Sequence, residues 1–599
     1  MSFITALALS TERYDCVVVG AGPVGLSLAL EAADAGLRVL LLDAGTAAGR
    51  ENAAARAARP PAHILDPATH APMEQVTRRG VGGSSWLWGG RCVRFEAIDF
   101  EPRDYVDGSG WPLSEADVSP WEAAAAAHLD CGVPTFRSSC PDWAGLGEVS
   151  LSQLERWARQ PKLAGGLGAT VTAHPGISVL CEATVTDIAL DPAGTGVTEL
   201  LVRHRGRTLP ARALSFVLAG GGLETTRLLL SVQRRLPTHF GGADGPLGRY
   251  YMGHLTGSIA NIQLTDPADI RDLDFRLDDH NVYVRRRFSF SADSQRERRL
   301  LNTSFYADNP PFYEQGHHNS TLSLVFLALS LAPVGRRILA EGIRLRHIGP
   351  KPRRYAPHLL NIVKRPFRAV ADVLQILRRR YLSRVRKPGF LLRNVAGTYA
   401  LHFHAEQIPH PDSRVRLNAT TGADGQPGLD IDFRYAQQDL DSVLAWHRYL
   451  DERLRASGRG RVVYLDADDQ REAAVREQAT DGFHHIGTTR MSTGPGDGVV
   501  DRNCRVHGVD NLYIASSSVF RTAGEANPTF LAVCLAVRLA HHLAEPPVTP
   551  VAPPVAAVVA VAVVAAGAVS EPETPAAAGP RGPLTGHSDD DELRGMVAP

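Results

Sequence analysis

Apolar and polar positions follow two different periods along this chain, and the change of period divides it. From Tyr14 an unbroken apolar run, Cys16-Val17-Val18-Val19, leads into a glycine-rich turn. An Ala/Leu-rich stretch over about 23–35 and a second apolar run at 39–42, closed by Asp43, come next. Runs of this kind predict strands buried on both faces, and the stretch between them predicts a crossover helix, so the chain opens as a βαβ unit. Short strands are expected at 177–180 and 183–188. A buried strand is expected to run from Leu214 into Gly220-Gly221-Gly222, with a helix over about 224–235 after it.

The middle of the chain reads differently. Residues 255–264, 282–291 and 414–417 have, at least in part, the alternation of half-buried antiparallel strands, which suggests a separate sheet serving as a substrate wall. Between them, 322–392 reads as helical and strongly basic, with Lys and Arg from Arg336 to Lys387 facing only Glu341 and Asp372. Such a stretch has three readings: a solvated helical face, a lid over a substrate entrance, or a surface for membranes and acidic ligands. Beyond residue 545, prolines, an Ala/Val run over 555–569 and the acidic Asp589-Asp590-Asp591-Glu592 predict an unpacked tail. The Ala/Val run is shorter than the roughly 20 residues a membrane-spanning helix needs.

Composition excludes more than it assigns. With 599 residues, 44% hydrophobic and 21% charged, the chain has the make-up of a globular protein with two or three domains. Lys plus Arg and Asp plus Glu both number 64, so the overall balance calls for neither nucleic acid nor an anionic surface. Seven cysteines without close paired spacing are expected to be reduced and structural. The N-terminus has no basic residue ahead of its short apolar patch, so a cytoplasmic location is expected.

Candidate chemistry lies at both ends. Gly20-Ala21-Gly22-Pro23-Val24-Gly25 follows the first strand and opens the helix. Gly20 suits the tight turn, Gly22 the close approach of backbone to a pyrophosphate, and Gly25 close helix packing, while Asp43 can bind ribose hydroxyls. The fingerprint alone does not separate FAD from NAD. A second loop from Arg78 to Arg91, with Gly83 and Ser84, offers backbone N–H groups to a phosphate or to the polar edge of an isoalloxazine ring, which favours a flavin. At the other end, His484 and His485 of His-His-Ile-Gly-Thr precede Ala526-Asn527-Pro528-Thr529, so a base and an amide are available for an alcohol. His402, His404 and Glu406 alternate along an expected strand; they read as a substrate wall or packed polar residues rather than a metal site, and no metal is expected.

Taken together, these segments resemble the glucose-methanol-choline (GMC) flavin oxidoreductases, in the branch around pyranose 2-oxidase. The stretches that carry the resemblance lie at 14–45, 79–95, 110–112, 218–230, 484–491 and 506–543. The resemblance implies an α/β fold, with a Rossmann-type FAD-binding domain and a substrate-binding domain built on an antiparallel sheet plus helices. The FAD-binding parts would be 13–100, 166–250 and 478–545, with a mixed region at 101–165. The substrate domain would be 251–477, with the basic insertion at 322–392, and 546–599 would be tail. It further implies FAD held by Gly20, Gly22, Gly25, Asp43, Gly83, Ser84, Val185 at the adenine side, and Thr529. His484 and Asn527 would be the catalytic pair, with His484 as general base. Leu87 stands where pyranose 2-oxidase has a flavin-linked histidine, so the FAD would be non-covalent. Ala515 replaces a frequent aspartate and Arg521 a frequent proline, so the loops near the site would differ from those of relatives. The expected reaction is oxidation of a secondary alcohol on a sugar, glycoside or related polyol to a ketone, with electrons passing to oxygen, a quinone or a redox protein. Oxidation of a primary alcohol to an aldehyde, or a flavin-binding electron-transfer role, are the alternatives.

Overall fold

A computed structural model describes residues 12–49, 59–338, 347–349, 351–378, 382–383, 385–393 and 396–545. The expected tail at 546–599 lies outside the described residues, as does the extreme N-terminus.

Strand Arg13–Val19 is the centre of the largest sheet. It pairs in parallel with Val39–Leu42 on one side and Arg207–Leu218 on the other, and Ile177–Leu180 and Leu512–Ile514 continue the parallel order outward. Cys16, Val17, Val18, Val39, Leu40, Leu41 and Leu42 are all fully buried, which is why these runs lack polar alternation. Helix Pro23–Asp34 starts with proline at its first position and gives way at Gly36, whose φ of +94° few other residues adopt. Against it packs Thr529–Ala544, so both ends of the chain cover the same sheet.

Strand Arg207–Leu218 belongs to two arrangements. Its C-terminal half runs parallel to Arg13–Val19, while its N-terminal half forms an antiparallel meander with Val197–His204 and Ala183–Leu190.

The expected substrate wall is redistributed. A four-stranded antiparallel sheet does form, in the order Thr303–Asp308, Thr398–Glu406, His254–Leu264 and Gly460–Tyr464, backed by helix Gln437–Ala456. Of the three segments read as one sheet, only 255–264 belongs to it. Arg414–Thr421 joins Pro427–Asp432 and Ala62–Ile64 in another sheet, and 282–291 breaks into Tyr283–Arg286 and Ser289–Phe290, which pair with Leu154–Trp157 and Val149–Ser150. Strand alternation reports which face is buried, not which strand lies alongside. Leu154–Trp157 and Val149–Ser150 lie more than a hundred residues before the strands they pair with here, whereas Arg414–Thr421 pairs with the next strand along the chain.

The basic stretch is helical, as expected, with Ser320–Ser330, Ala332–Ile338, Ala356–Lys364 and Pro366–Leu377. It is inserted between Thr303–Asp308 and Thr398–Glu406. Phe312, Leu322, Phe326, Leu329 and Ile348 give it a small core of its own.

Candidate functional site

A cavity of about 670 Å³ runs from the first glycine-rich turn to the two adjacent histidines. Gly20, Gly22, Asp43, Gly83, Ser84, Val185, His484 and Thr529 all border it, as do Gly220, Gly221, Ala515, Ser516 and Ser517. Gly25 and Asn527 are not on its wall. Gly25 packs beneath the turn instead: a Cβ there would lie 1.9 Å from the Gly20 carbonyl oxygen.

Local geometry explains the glycines. Gly20 has φ +111°, and a Cβ on it would meet the Ala219 carbonyl oxygen at 2.4 Å. A Cβ on Gly83, with φ +49°, would lie 2.7 Å from the Gly22 Cα, so the two glycine-rich loops touch. A Cβ on Gly22 would meet nothing within 4 Å, which leaves its backbone open to a bound group.

Three helices, Pro23–Asp34, Gly222–Arg235 and Thr529–Ala544, begin at this wall, and none has a side chain capping its first turn. Their first-turn N–H groups, which no side chain caps, and their positive ends favour an anionic ligand such as a pyrophosphate. The size, the touching glycine loops and the uncapped helix starts fit a dinucleotide cofactor.

Asp43 has a further role. One carboxylate oxygen accepts from Gly45 N and Gly80 N, both at 2.7 Å, and the other from Ala21 N at 2.8 Å, so it ties three loops of the wall together. Beyond Ser84, the second loop turns away from the cavity. Trp86 donates to the Val81 carbonyl, Trp88 to that of Pro161, and Leu87 is 39% exposed.

At the other end of the cavity, the site is assembled around Asp481. Its Oδ1 accepts from Phe483 N at 2.7 Å and His484 N at 3.2 Å. Its Oδ2 accepts from His254 N at 2.6 Å and lies 3.0 Å from His484 Nδ1. Burial would raise this carboxyl, but the nearby His484 charge and the hydrogen bonds from the two histidines win and hold it well below the usual carboxylate range. Asp481 Oδ2 is placed to accept a hydrogen bond from His484 Nδ1, and in the neutral tautomer that carries its proton there Nε2 is the acceptor. Asn527 Nδ2 lies 3.2 Å from that Nε2. Asn527 Oδ1 is buried without a hydrogen-bond partner.

His485 also borders the cavity, but its ring packs edge-on to Tyr251 at 6.1 Å and burial lowers it to about 4. Its Nε2 is buried and unpartnered.

The row His402, His404 and Glu406 does not converge. His402 lies against Tyr306 at 4.8 Å between ring centres, His404 Nδ1 bonds the Glu525 carbonyl, and Glu406 forms a two-pronged pair with Arg103. Among the described residues the ligand atoms that do converge belong to His254, Asp481 and His484, and hydrogen bonding among them accounts for that.

Asp481 and His254 escaped the sequence reading. Asp481 lies one helical turn's length before His484 and was legible as D-x-x-H, whereas His254 comes from a distant strand and left no signal. Arg521 is also explained: its guanidinium donates to the Met491 and Gly108 carbonyls and to Asp497, so it staples the loops around the site.

Residues 15–309 match the family described as FAD dependent oxidoreductase, and residues 409–536 the family described as GMC oxidoreductase. A 6'''-hydroxyparomomycin C oxidase of Streptomyces lividus is 32% identical over 157 residues, covering 24% of this chain and 26% of that protein. A C-glycoside 3-oxidase of Arthrobacter globiformis is 31% identical over 144 residues, again covering 24% and 26%. The chain thus spans about a quarter of the length of these relatives. The fructose dehydrogenase large subunit of Gluconobacter japonicus is 21% identical over 88% of this chain and 97% of that one. Among solved structures, pyridoxine 4-oxidase from Mesorbium loti is 18% identical, covering 88% of this chain and 98% of its own, with a TM-score of 0.49. The chain thus combines an FAD dependent oxidoreductase domain with a C-terminal GMC oxidoreductase domain, and the two together indicate FAD as the cofactor.

Proposed function

We propose that this protein oxidises a secondary alcohol on a sugar, glycoside or related polyol to the ketone. The observation that carries the reading is the Asp481–His484–Asn527 arrangement, in which His484 borders the end of the cavity and Asp481 and Asn527 hold its two ring nitrogens from behind the wall. A relative named C-glycoside 3-oxidase supports the sugar side of it, and a place on the pyranose 2-oxidase-like branch is part of the same reading.

FAD, when bound, supplies the hydride acceptor. An alcohol gives up a hydride readily only as its hydroxyl proton leaves, so a base must stand within hydrogen-bond reach. His484 Nε2 is that base, held in the accepting tautomer by Asp481. Asn527 presents an amide whose Nδ2 steadies the developing alkoxide, while its unpartnered Oδ1 awaits a donor. Gly20, Gly22 and Gly25 shape the turn that holds the pyrophosphate, Asp43 keeps one acceptor site of about four for a ribose hydroxyl, and Val185 walls the adenine end. Gly83, Ser84 and Thr529 hold the flavin end. The cofactor is non-covalent in this reading, because Leu87 offers no atom for a bond and points to the surface.

The test is an anaerobic screen of sugars, glycosides and polyols for bleaching of the flavin absorption, with product analysis and then admission of oxygen or a quinone. The expected result is bleaching by a ring hydroxyl donor and a ketone product. An aldehyde product would shift the assignment to primary alcohols, and a flavin that no alcohol bleaches would overturn the reading.

A further inference from the structure

The helical insertion carries an apolar face that nothing among the described residues covers. Its helices Ala356–Lys364 and Pro366–Leu377 turn His358, Asn361 and Ala369 inward. Outward they present Leu359, Leu360, Val363, Phe367, Val370 and Leu374, at 52, 64, 73, 89, 53 and 60% exposure. Leu359, Leu360 and Val363 share an outward face of the first helix, and Phe367, Val370 and Leu374, spaced three and four residues apart, form a stripe along the second. More than half of the exposed large apolar side chains among the described residues fall between Leu331 and Leu382.

Helices on a water-facing surface place polar residues outward, and soluble monomers rarely expose contiguous apolar patches beyond a few hundred Å². Here the sign is inverted, and it is inverted in one place. Charge identifies the occupant. Lys364, Arg365 and Arg378 are exposed beside the stripe, with Lys351 and Arg354 just before it. The only acid between 356 and 378 is Asp372, which is half-buried and accepts from the Thr321 hydroxyl at 2.9 Å. An apolar centre with a cationic rim matches the boundary between the headgroups and acyl chains of an anionic bilayer. A second copy would bring two cationic rims together, which is repulsive. Nor would the insertion span the bilayer: at 9 and 12 residues these helices are far short of a crossing, and among the described residues no helix is long and apolar enough for one.

We propose that the outward stripe of residues 356–377 is a docking surface for an anionic lipid bilayer, on which the enzyme rests without crossing it. Leu360, Val363, Phe367 and Leu374 enter the interface, and Lys364, Arg365 and Arg378 select anionic headgroups.

Cosedimentation of the full-length holoenzyme with vesicles tests this, using phosphatidylcholine alone or with a quarter replaced by phosphatidylglycerol. Binding is expected to the anionic vesicles, weaker binding to the neutral ones, and release as salt rises. A combined Leu360→Ser, Val363→Ser, Phe367→Ser and Leu374→Ser variant is expected to lose binding by at least about tenfold while keeping its flavin content and melting temperature, since polar residues suit these exposed positions. Lys364→Glu with Arg365→Glu and Arg378→Glu is expected to abolish the preference for phosphatidylglycerol. The proposal falls if the wild type stays in the supernatant with both vesicles, or if the serine variant sediments as the wild type does. It falls equally if light scattering shows a wild-type dimer that the serine variant makes monomeric without any vesicle binding, because the stripe then belongs to a second copy.

Discussion

Asp481 turns His484 from a histidine near a cavity into one with a defined tautomer. Replacing it by asparagine would leave the His484 Nδ1 proton without an anionic acceptor and let Nε2 carry the proton instead. Asp481→Asn is therefore expected to retain FAD but slow anaerobic flavin reduction by roughly 10²–10⁴-fold, as loss of the orienting carboxylate does in catalytic triads. The rate should also move to a different pH dependence, and Asp481→Glu should recover part of it. Stopped-flow reduction across pH checks this; an unchanged rate and profile would remove Asp481 from the mechanism. His484→Ala should likewise keep bound FAD and lose reduction, while His485→Ala, whose ring packs on Tyr251, should keep most of the rate. The reverse outcome in the same measurement would transfer the role to His485. At this scale His484 and Asn527 were legible because their motifs are local. His254 was not, because only the folding of a strand hundreds of residues away brings its backbone N–H to Asp481.

Elements show where the pattern sufficed and where it did not. The run Cys16–Val19, the turn at Gly20 and the helix that follows could be read directly, because parallel strands are apolar throughout and the turn needs glycine. Gly20→Ala would force a Cβ into the Ala219 carbonyl at a positive φ, so it is expected to cost about 1–3 kcal/mol and to weaken FAD retention, measurable by thermal scans and flavin content. Antiparallel pairing was less legible, since 255–264, 282–291 and 414–417 look alike locally yet enter four different sheets, 282–291 dividing between two.

Helix Gln437–Ala456 buries His447 between Phe305 and Phe403, and burial lowers its pKa from the ordinary 6.5 to about 4. The unfolded chain therefore binds the extra proton first, and stability falls as pH drops from about 6.5 towards 4. His447→Leu should gain melting temperature relative to the wild type across that window. A difference between the two proteins that stays constant with pH would rule the linkage out.

Across the whole molecule, the cavity wall comes from segments near residues 20, 43, 83, 185, 220, 484, 516 and 529, so the cofactor site exists only when both ends of the chain are folded together. A ligand that binds only this state stabilises it, by about 2.7 kcal/mol when present at a hundred times its dissociation constant. Stripping the flavin should lower the melting temperature, and adding FAD should restore it in a concentration-dependent way. A melting temperature indifferent to FAD would mean that the wall forms without cooperation between the chain ends. Acid precipitation should release the flavin into the supernatant; a yellow pellet would overturn the non-covalent assignment.

Strand Arg207–Leu218 gives this cooperation a mechanical form. Its first half is hydrogen-bonded into the meander that carries Val185, and its second half ends where Gly220 and Gly221 begin the other wall. The two regions of the cavity thus sit on one continuous rail, and a shift in one is transmitted along the strand to the other. Transplanting the meander from another protein as a cassette would displace Gly220 along with Val185, so the adenine end cannot be re-engineered without retuning the glycine segment that precedes helix Gly222–Arg235.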